Sequence, residues 1–401
     1  MSKMPIYMDH QATTPVDERV VEAMLPYFSG RFGNAASRTH AHGRVARDAV
    51  ERGRSQVADL IGAKPEEVIF TSGATESDNL AVRGVAEARI GDGKHIVTVR
   101  TEHKAVLDTC AALEREGWRI SRLDVDSNGL LSVDALADTL TEETVLVSVM
   151  LANNEVGVAQ DLRAIGALTR KRGITFHCDA AQGLGYLPWS LDEMHIDLAS
   201  LSAHKMYGPK GVGALYVRES LQTRGIPAPQ IHGGGHERGL RSGTLNVPGI
   251  VGFGLAAEIM KNEGATEAER IGSLRDALKN QLFAEIEALR LNGAADPRHP
   301  GNLNLSFGYL DGARLLLELA EVVSVSSGSA CSSAQPGPSY VLEAMGVPKD
   351  WSGASIRFGL GRMSTAPDVQ TVGDSVVATV GRLRERSPHW ARRANGKPLD
   401  W

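Results

Sequence analysis

The sequence predicts an α/β protein: a large domain with a mostly parallel central sheet plus a smaller α+β domain. Three observations lead there. Short, β-rich apolar runs alternate with amphipathic stretches of helix length, the pattern of strands joined by crossover helices. The chain has 401 residues, more than one ordinary domain holds. The alternation then stops at Gly225–Gly243, where six glycines and two prolines read as a long functional loop.

Taken in order, Val68–Thr71, His95–Val99, Val145–Leu151, Thr175–Cys178, Leu198–Leu201 and Ala214–Val217 read as strands. Ala46–Ile61, Lys104–Gly117, Val133–Leu140 and Leu162–Arg172 carry helical periodicity between them. Past the glycine-rich loop, a helix over Ile250–Asn262 gives way to the charged run Glu263 to Arg270, and a long helix follows over Glu267–Leu289. Asn302–Phe307 and Val322–Ser326 read as strands of the smaller unit. The domain change is placed near the start of the long helix, so residues 15–261 make the large domain, and 1–14 with 262–401 the small one.

Composition narrows the function. The net charge of −5 with 23% charged and 42% hydrophobic residues suits a soluble globular enzyme. Nucleic-acid binders that rely on a basic excess do not look like this. No run approaches the ~20 apolar residues of a membrane span, and Asp9 interrupts the place where a signal peptide would continue. The expectation is a cytoplasmic protein without membrane or direct nucleic-acid binding. Cys110, Cys178 and Cys331 lie far apart without a CxxC pair, which argues against a disulfide framework and a Cys-rich zinc site. No metal ligand set is read.

Three loops carry chemistry. After Val68–Phe70 comes Thr71-Ser-Gly-Ala-Thr-Glu-Ser77, then a helical pattern. A glycine- and hydroxyl-rich turn opening a helix can cradle a phosphate; helix capping by Ser or Thr accounts for the same residues. Thr175–Cys178 ends in Asp179-Ala-Ala-Gln182, a strand-end carboxylate that serves equally as a helix cap. Leu198–Leu201 runs into Ser202-Ala-His-Lys205, where a desolvated lysine can act as an amine nucleophile. Together they supply what pyridoxal 5'-phosphate (PLP) demands: an amine to carry it, a carboxylate to keep the pyridine nitrogen protonated, and a phosphate cradle. A dinucleotide site would need a GxGxxG after the first strand, which is absent.

With Tyr7-Met-Asp-His-Gln-Ala-Thr-Thr-Pro15, Thr71–Asn79, Thr101-Glu-His-Lys104, Asn153-Asn-Glu-Val-Gly157, Ser202–Gly213 and His232–Thr244 in this order, the chain resembles the cysteine desulfurases. These are fold-type I PLP-dependent transferases of the class V aminotransferase superfamily. The resemblance runs from Pro5 to about Trp390. It implies that Lys205 carries PLP, Asp179 pairs with the pyridine nitrogen, Gln182 bonds the ring oxygen, and His103 stacks on the ring and moves protons. Ala74, Thr75, Ser202 and His204 would hold the cofactor's phosphate end, with Thr244 donated by a second subunit; a homodimer with a shared site follows. Arg357 would grip the substrate carboxylate, a bidentate task suited to guanidinium, with Asn154 beside it.

Cys331 decides the leaving chemistry. It sits in Ser326-Ser-Gly-Ser-Ala-Cys-Ser-Ser-Ala334, a setting for an accessible thiol, whereas Cys178 and Cys110 read as structural. The segment resembles the long catalytic loop of the group I desulfurases. The implied activity converts L-cysteine to L-alanine and leaves sulfur as a Cys331 persulfide. A sulfur-acceptor protein such as an iron–sulfur cluster scaffold would receive it, with tRNA thiolation a further destination. Selenocysteine lyase and class V aminotransferase stay open as alternatives. The tail Ser387–Trp401 departs from the family's scaffold-docking tail.

Overall fold

The computed structural model describes residues 4–327, 339–388, 390 and 391. Its central sheet has seven strands, in the order Val68–Thr71, Gly213–Val217, Leu198–Ser202, Thr175–Asp179, Thr144–Ser148, His95–Val99 and Arg119–Leu123. Only Gly213–Val217 runs antiparallel to its neighbours; the other pairs are parallel. The inner strands bury every residue, because helices cover both faces, and this is why they read as continuous apolar runs. Arg119–Leu123 is an edge strand missing from the sequence reading. Its two arginines and partial exposure suit an edge that must not pair further but hide it from an apolar-run criterion.

Two helices meet closely on one face. Ala41–Ile61 opens with His40, whose Nδ1 accepts from the Gly43 N–H at 3.2 Å, and closes on Gly62 in the left-handed region at φ 75°. It packs along Val247–Glu285 through Gly53 and Gly254: a Cβ on Gly254 would fall 2.5 Å from the Gly53 Cα. Only glycine allows backbones that near.

Val247–Glu285 corrects the expectation of two helices. It is one helix of 39 residues, and it stops before Leu289, which begins the strand Leu289–Leu291. The charged run carries no proline, so nothing breaks the backbone ladder; the change of surroundings lies in what each half covers. Ile250, Phe253 and Met260 enter the core beneath the central sheet. Ile271, Leu278 and Leu282 enter a second core, with Phe307, Ile356 and Val376.

That second core lies against a four-stranded antiparallel sheet ordered Ser326–Ser327, Ser355–Gly359, Asn302–Phe307 and Leu289–Leu291. The helix Ala366–Glu385, also absent from the sequence reading, packs on it through Val369, Val372 and Val376. The chain's beginning belongs here too: Met8 is fully buried in this core, and Ile6–Tyr7 pairs in parallel with Val323–Ser324. The expected strand Val322–Ser326 is thus two short strands, Val323–Ser324 and Ser326–Ser327, serving different partners.

Candidate active site

Parallel strands open a crevice at their carboxyl ends, and the predicted residues gather there. Ala74, Thr75, His103, Asn154, Asp179, Gln182, Ser202, His204 and Lys205 all line one cavity of about 620 Å³, a size that fits a cofactor and a small substrate. Thr244 is exposed and outside it. Arg357 is buried on Ser355–Gly359, joined to the cavity wall through its Nη1 donating to the Asn154 carbonyl at 2.7 Å. Cys331 lies outside the described residues.

The strand Val68–Thr71 turns through Ser72 and Gly73 into the helix Ala74–Ala88. Gly73 has φ 151°, so the turn presents backbone N–H groups at the helix start, where an anion is favoured. Part of this cradle is already committed: Glu76 Oε2 accepts the Ser72 N–H at 2.9 Å, while Arg241 pairs with the same carboxylate at 2.7 Å. This pair ties the glycine-rich loop to the cradle.

Asp179 ends its strand fully enclosed. Its Oδ1 accepts the Ala181 N–H at 2.9 Å; burial raises its pKa, opposed by His103, that N–H and Lys205. His103 caps Lys104–Arg115, its Nδ1 accepting from the Ala105 N–H at 3.1 Å. That bond places the neutral ring's proton on Nε2, and burial keeps the ring neutral by lowering its pKa. Lys205 ends the tight turn Ala203–Lys205, and its Nζ donates to the carbonyls of Gln11 at 2.5 Å and Ala12 at 2.8 Å. Gln182 Nε2 shares the Gln11 carbonyl at 2.8 Å. His204 is held neutral by burial, its pKa lowered to about 4, with Nδ1 3.0 Å from the Thr13 hydroxyl.

These residues fit PLP. A buried carboxylate with one oxygen taken by a protein donor, a neutral planar imidazole, an amine and a helix-start cradle share one wall-lined space, the donor set that a pyridine ring bearing an aldehyde and a phosphate requires.

Sequence reasoning missed several contributors. Gln11 and Ala12 act through carbonyls, which no side-chain pattern reveals. Asp78 and Glu102 are fully buried beside the site, and Asp9 pairs with Arg357; all three stood in the quoted motifs without an assigned task. Cys110 and Cys178 are buried as expected, and burial pushes the Cys110 thiol up to about 12, far from a reactive thiolate.

The comparisons agree with this geometry. The aminotransferase class-V family profile matches residues 6–372. A cysteine desulfurase IscS of Anaeromyxobacter sp. (strain Fw109-5) is 57% identical over 397 residues, covering 99% of this chain and 98% of its own. Another of that name from Rickettsia akari is 49% identical over 401 residues, covering 99% and 97%. Among solved structures, a NifS-like protein superposes with a TM-score of 0.88 at 37% identity, covering 95% of this chain and 100% of its own. A structure described as SspA in complex with cysteine gives 0.80 at 35% identity over 90% and 100%. With its sheet, its lysine–aspartate cavity and these full-length relatives in agreement, the chain belongs to the cysteine desulfurases of the class-V aminotransferase family.

Proposed function

We propose that this protein is a PLP-dependent cysteine desulfurase that converts L-cysteine to L-alanine and passes the sulfur, as an enzyme persulfide on Cys331, to iron–sulfur cluster assembly. The observation that carries it is the meeting of Lys205, Asp179 and His103 around one cavity. The neighbour solved with cysteine supports the substrate.

Bound there, PLP supplies an electron sink for the substrate's α-carbon. Lys205 would hold the cofactor and, with its Nζ, move the substrate's α-proton. Asp179 would keep the ring nitrogen protonated, Gln182 would bond the ring oxygen, and His103 would lie against the ring with its Nε2 available for proton transfer. Ala74, Thr75, Ser202 and His204 would hold the phosphate end, and Arg357 with Asn154 the substrate carboxylate. The Cys331 thiolate attacks the substrate sulfur: an S–S bond forms, the substrate's Cβ–S bond breaks, and its electron pair ends as a C–H bond of alanine after protonation.

The working form is a cytoplasmic homodimer with a shared site. Leu25, Phe28 and Phe32 are 58%, 64% and 66% exposed, an apolar surface suited to a second copy, and exposed Thr244 is available to reach that copy's phosphate end. Among the described residues no helix is long and apolar enough to cross a membrane. The acceptor is a protein thiol or cluster scaffold.

A paired assay tests this. The purified protein is expected to be yellow and to form alanine and sulfide from cysteine and a reductant. Cys331→Ala is expected to keep the cofactor absorbance and lose sulfide release. Equal activity in that variant removes Cys331 from the reaction, and a protein that binds no PLP removes the enzyme reading.

A further inference from the structure

The carboxylate of Asp9 stands between two residues of the second sheet. Its Oδ1 accepts from Arg357 Nη2 at 2.7 Å, and its Oδ2 accepts the Ser326 hydroxyl at 2.8 Å. Backbone pairing builds this arrangement. Ser326 lies opposite Arg357 in the antiparallel ladder, Asp9 bridges in parallel to Gly359, and Ile6–Tyr7 is fixed alongside Val323–Ser324.

Arg357 is 1% exposed. Its Nη1 donates to the Asn154 carbonyl at 2.7 Å, yet its Nε has no acceptor. A buried guanidinium N–H without an acceptor is costly and calls for an explanation. An incoming carboxylate that accepted from Nε and Nη2 would supply it, in the bidentate geometry guanidinium favours. Nη2, however, is already held by Asp9. Two carboxylates on one buried guanidinium repel each other, so whatever binds at Arg357 must contend with Asp9.

Building on the reading of Arg357 as the substrate-carboxylate ligand, we infer that Asp9 is a positioning residue that tunes this site. It is an internal carboxylate that competes with the substrate's for Arg357 and links that binding, through Ser326, to the strand entering the Cys331 segment. The coupling is reciprocal: a carboxylate at Arg357 weakens the hold on Ser326, and a firm Ser326 contact weakens carboxylate binding.

The test uses the PLP-loaded protein with two probes, L-alanine and ethylamine, an amine without the carboxylate. Affinities come from absorbance titration, and amide hydrogen exchange is followed over Val323–Ser327. Asp9→Asn keeps an acceptor for Arg357 but removes the charge; it is expected to bind L-alanine at least about fivefold more tightly and ethylamine as wild type does. L-alanine is expected to speed exchange over Val323–Ser327 in wild type and to change nothing in Asp9→Asn. Unchanged or weaker L-alanine binding in Asp9→Asn overturns the competition. Ser326→Ala removes the hydroxyl that holds Asp9 Oδ2 while leaving its Arg357 contact; it should bind L-alanine about twofold or more tightly than wild type and lose the exchange response, and unchanged or weaker binding or a retained response overturns the link even if Asp9→Asn does not fold. Arg357→Ala isolates the underlying reading: if it binds L-alanine as wild type does, Arg357 is not the carboxylate ligand, whatever Asp9 does.

Discussion

Asp78 and Asp179 bring carboxyl oxygens within 4.8 Å of each other beside the cofactor cavity, in company with a His103 ring nitrogen. Asp78 makes no hydrogen bond of good geometry on either oxygen, although the Ser200 hydroxyl lies near enough to oppose the rise in its pKa; the closest cationic candidate, His177 Nε2, stands 3.6 Å from Oδ1, and burial lowers that ring's pKa to about 3. Two buried carboxyls this near do not both ionise. Asp179 has the Ala181 N–H and the Lys205 charge to oppose burial, while burial and Asp179 itself push Asp78 well up, against only the Ser200 hydroxyl. The charge therefore resides on Asp179, and Asp78 is a neutral acid.

The two aspartates should respond differently to the same substitution. Asp179→Asn is expected to lower kcat/KM by about 10²-fold or more, as loss of a preorganised electrostatic contact does. Asp78→Asn replaces one neutral polar group with another, so unfolding stability should stay within about 1 kcal/mol of wild type, with cofactor absorbance intact. Steady-state kinetics and denaturant unfolding decide; equal loss of cofactor in both variants would show that Asp78 is charged.

Removing the amine separates the cavity from its chemistry. Lys205→Ala should abolish the absorbance of covalently held cofactor and reduce turnover by about 10³-fold or more, because the covalent anchor and the proton carrier are lost together. The Gln11 and Ala12 carbonyls that receive Nζ then lose their donor, so added methylamine should restore some turnover. Wild-type absorbance in the variant would assign the cofactor to another residue.

Glu155 sets a pH dependence. Its Oε2 accepts the Ser339 hydroxyl at 2.5 Å, and burial raises its pKa to about 7, against the opposing pulls of Ser339, Arg357 and Lys104. A carboxyl whose folded pKa lies above its unfolded value of 4.5 favours the folded state when protonated. Its stabilising contribution is complete below pH 4.5 and is lost as pH rises toward 7, by about 3 kcal/mol at most. Glu155→Gln should remove that component from the pH profile of urea unfolding. An unaltered profile would mean that Glu155 stays ionised throughout.

Arg54 and Glu237 form a buried pair at 2.7 Å, with side chains 4% and 1% exposed. Arg54 also donates to the Val68 carbonyl, and Glu237 accepts the Phe70 N–H, each at 2.7 Å. The pair fastens the His232–Thr244 loop to the strand that leads into the phosphate cradle, holding Glu237 at a φ of 47°. Arg54→Ala leaves a buried charge unpaired and should destabilise the fold by about 3–5 kcal/mol, read from the shift in urea midpoint. A change below about 1 kcal/mol would place the pair in contact with solvent.

Local patterning placed six of the seven strands of the central sheet and the loops that line its crevice. Strand ends such as Asp179 and Ser202 follow from local apolar runs, and a lysine, a carboxylate and a cradle after successive strands reach one crevice because parallel strands all present the same end. It could not decide the continuity of Val247–Glu285, whose helical period persists through the charged run while its two halves bury against different cores. Nor could it find Arg119–Leu123, since an edge strand lacks the apolar signature of its buried neighbours. Tertiary structure alone decided the placement of Met8 and Asp9 in the second core and beside Arg357. Those contacts join residues over 300 positions apart, and no local propensity encodes a pairing across that distance. The same holds for protonation: Asp78, Glu102 and Asp179 are alike as carboxylates in sequence, and only their burial and particular hydrogen-bond donors set them apart.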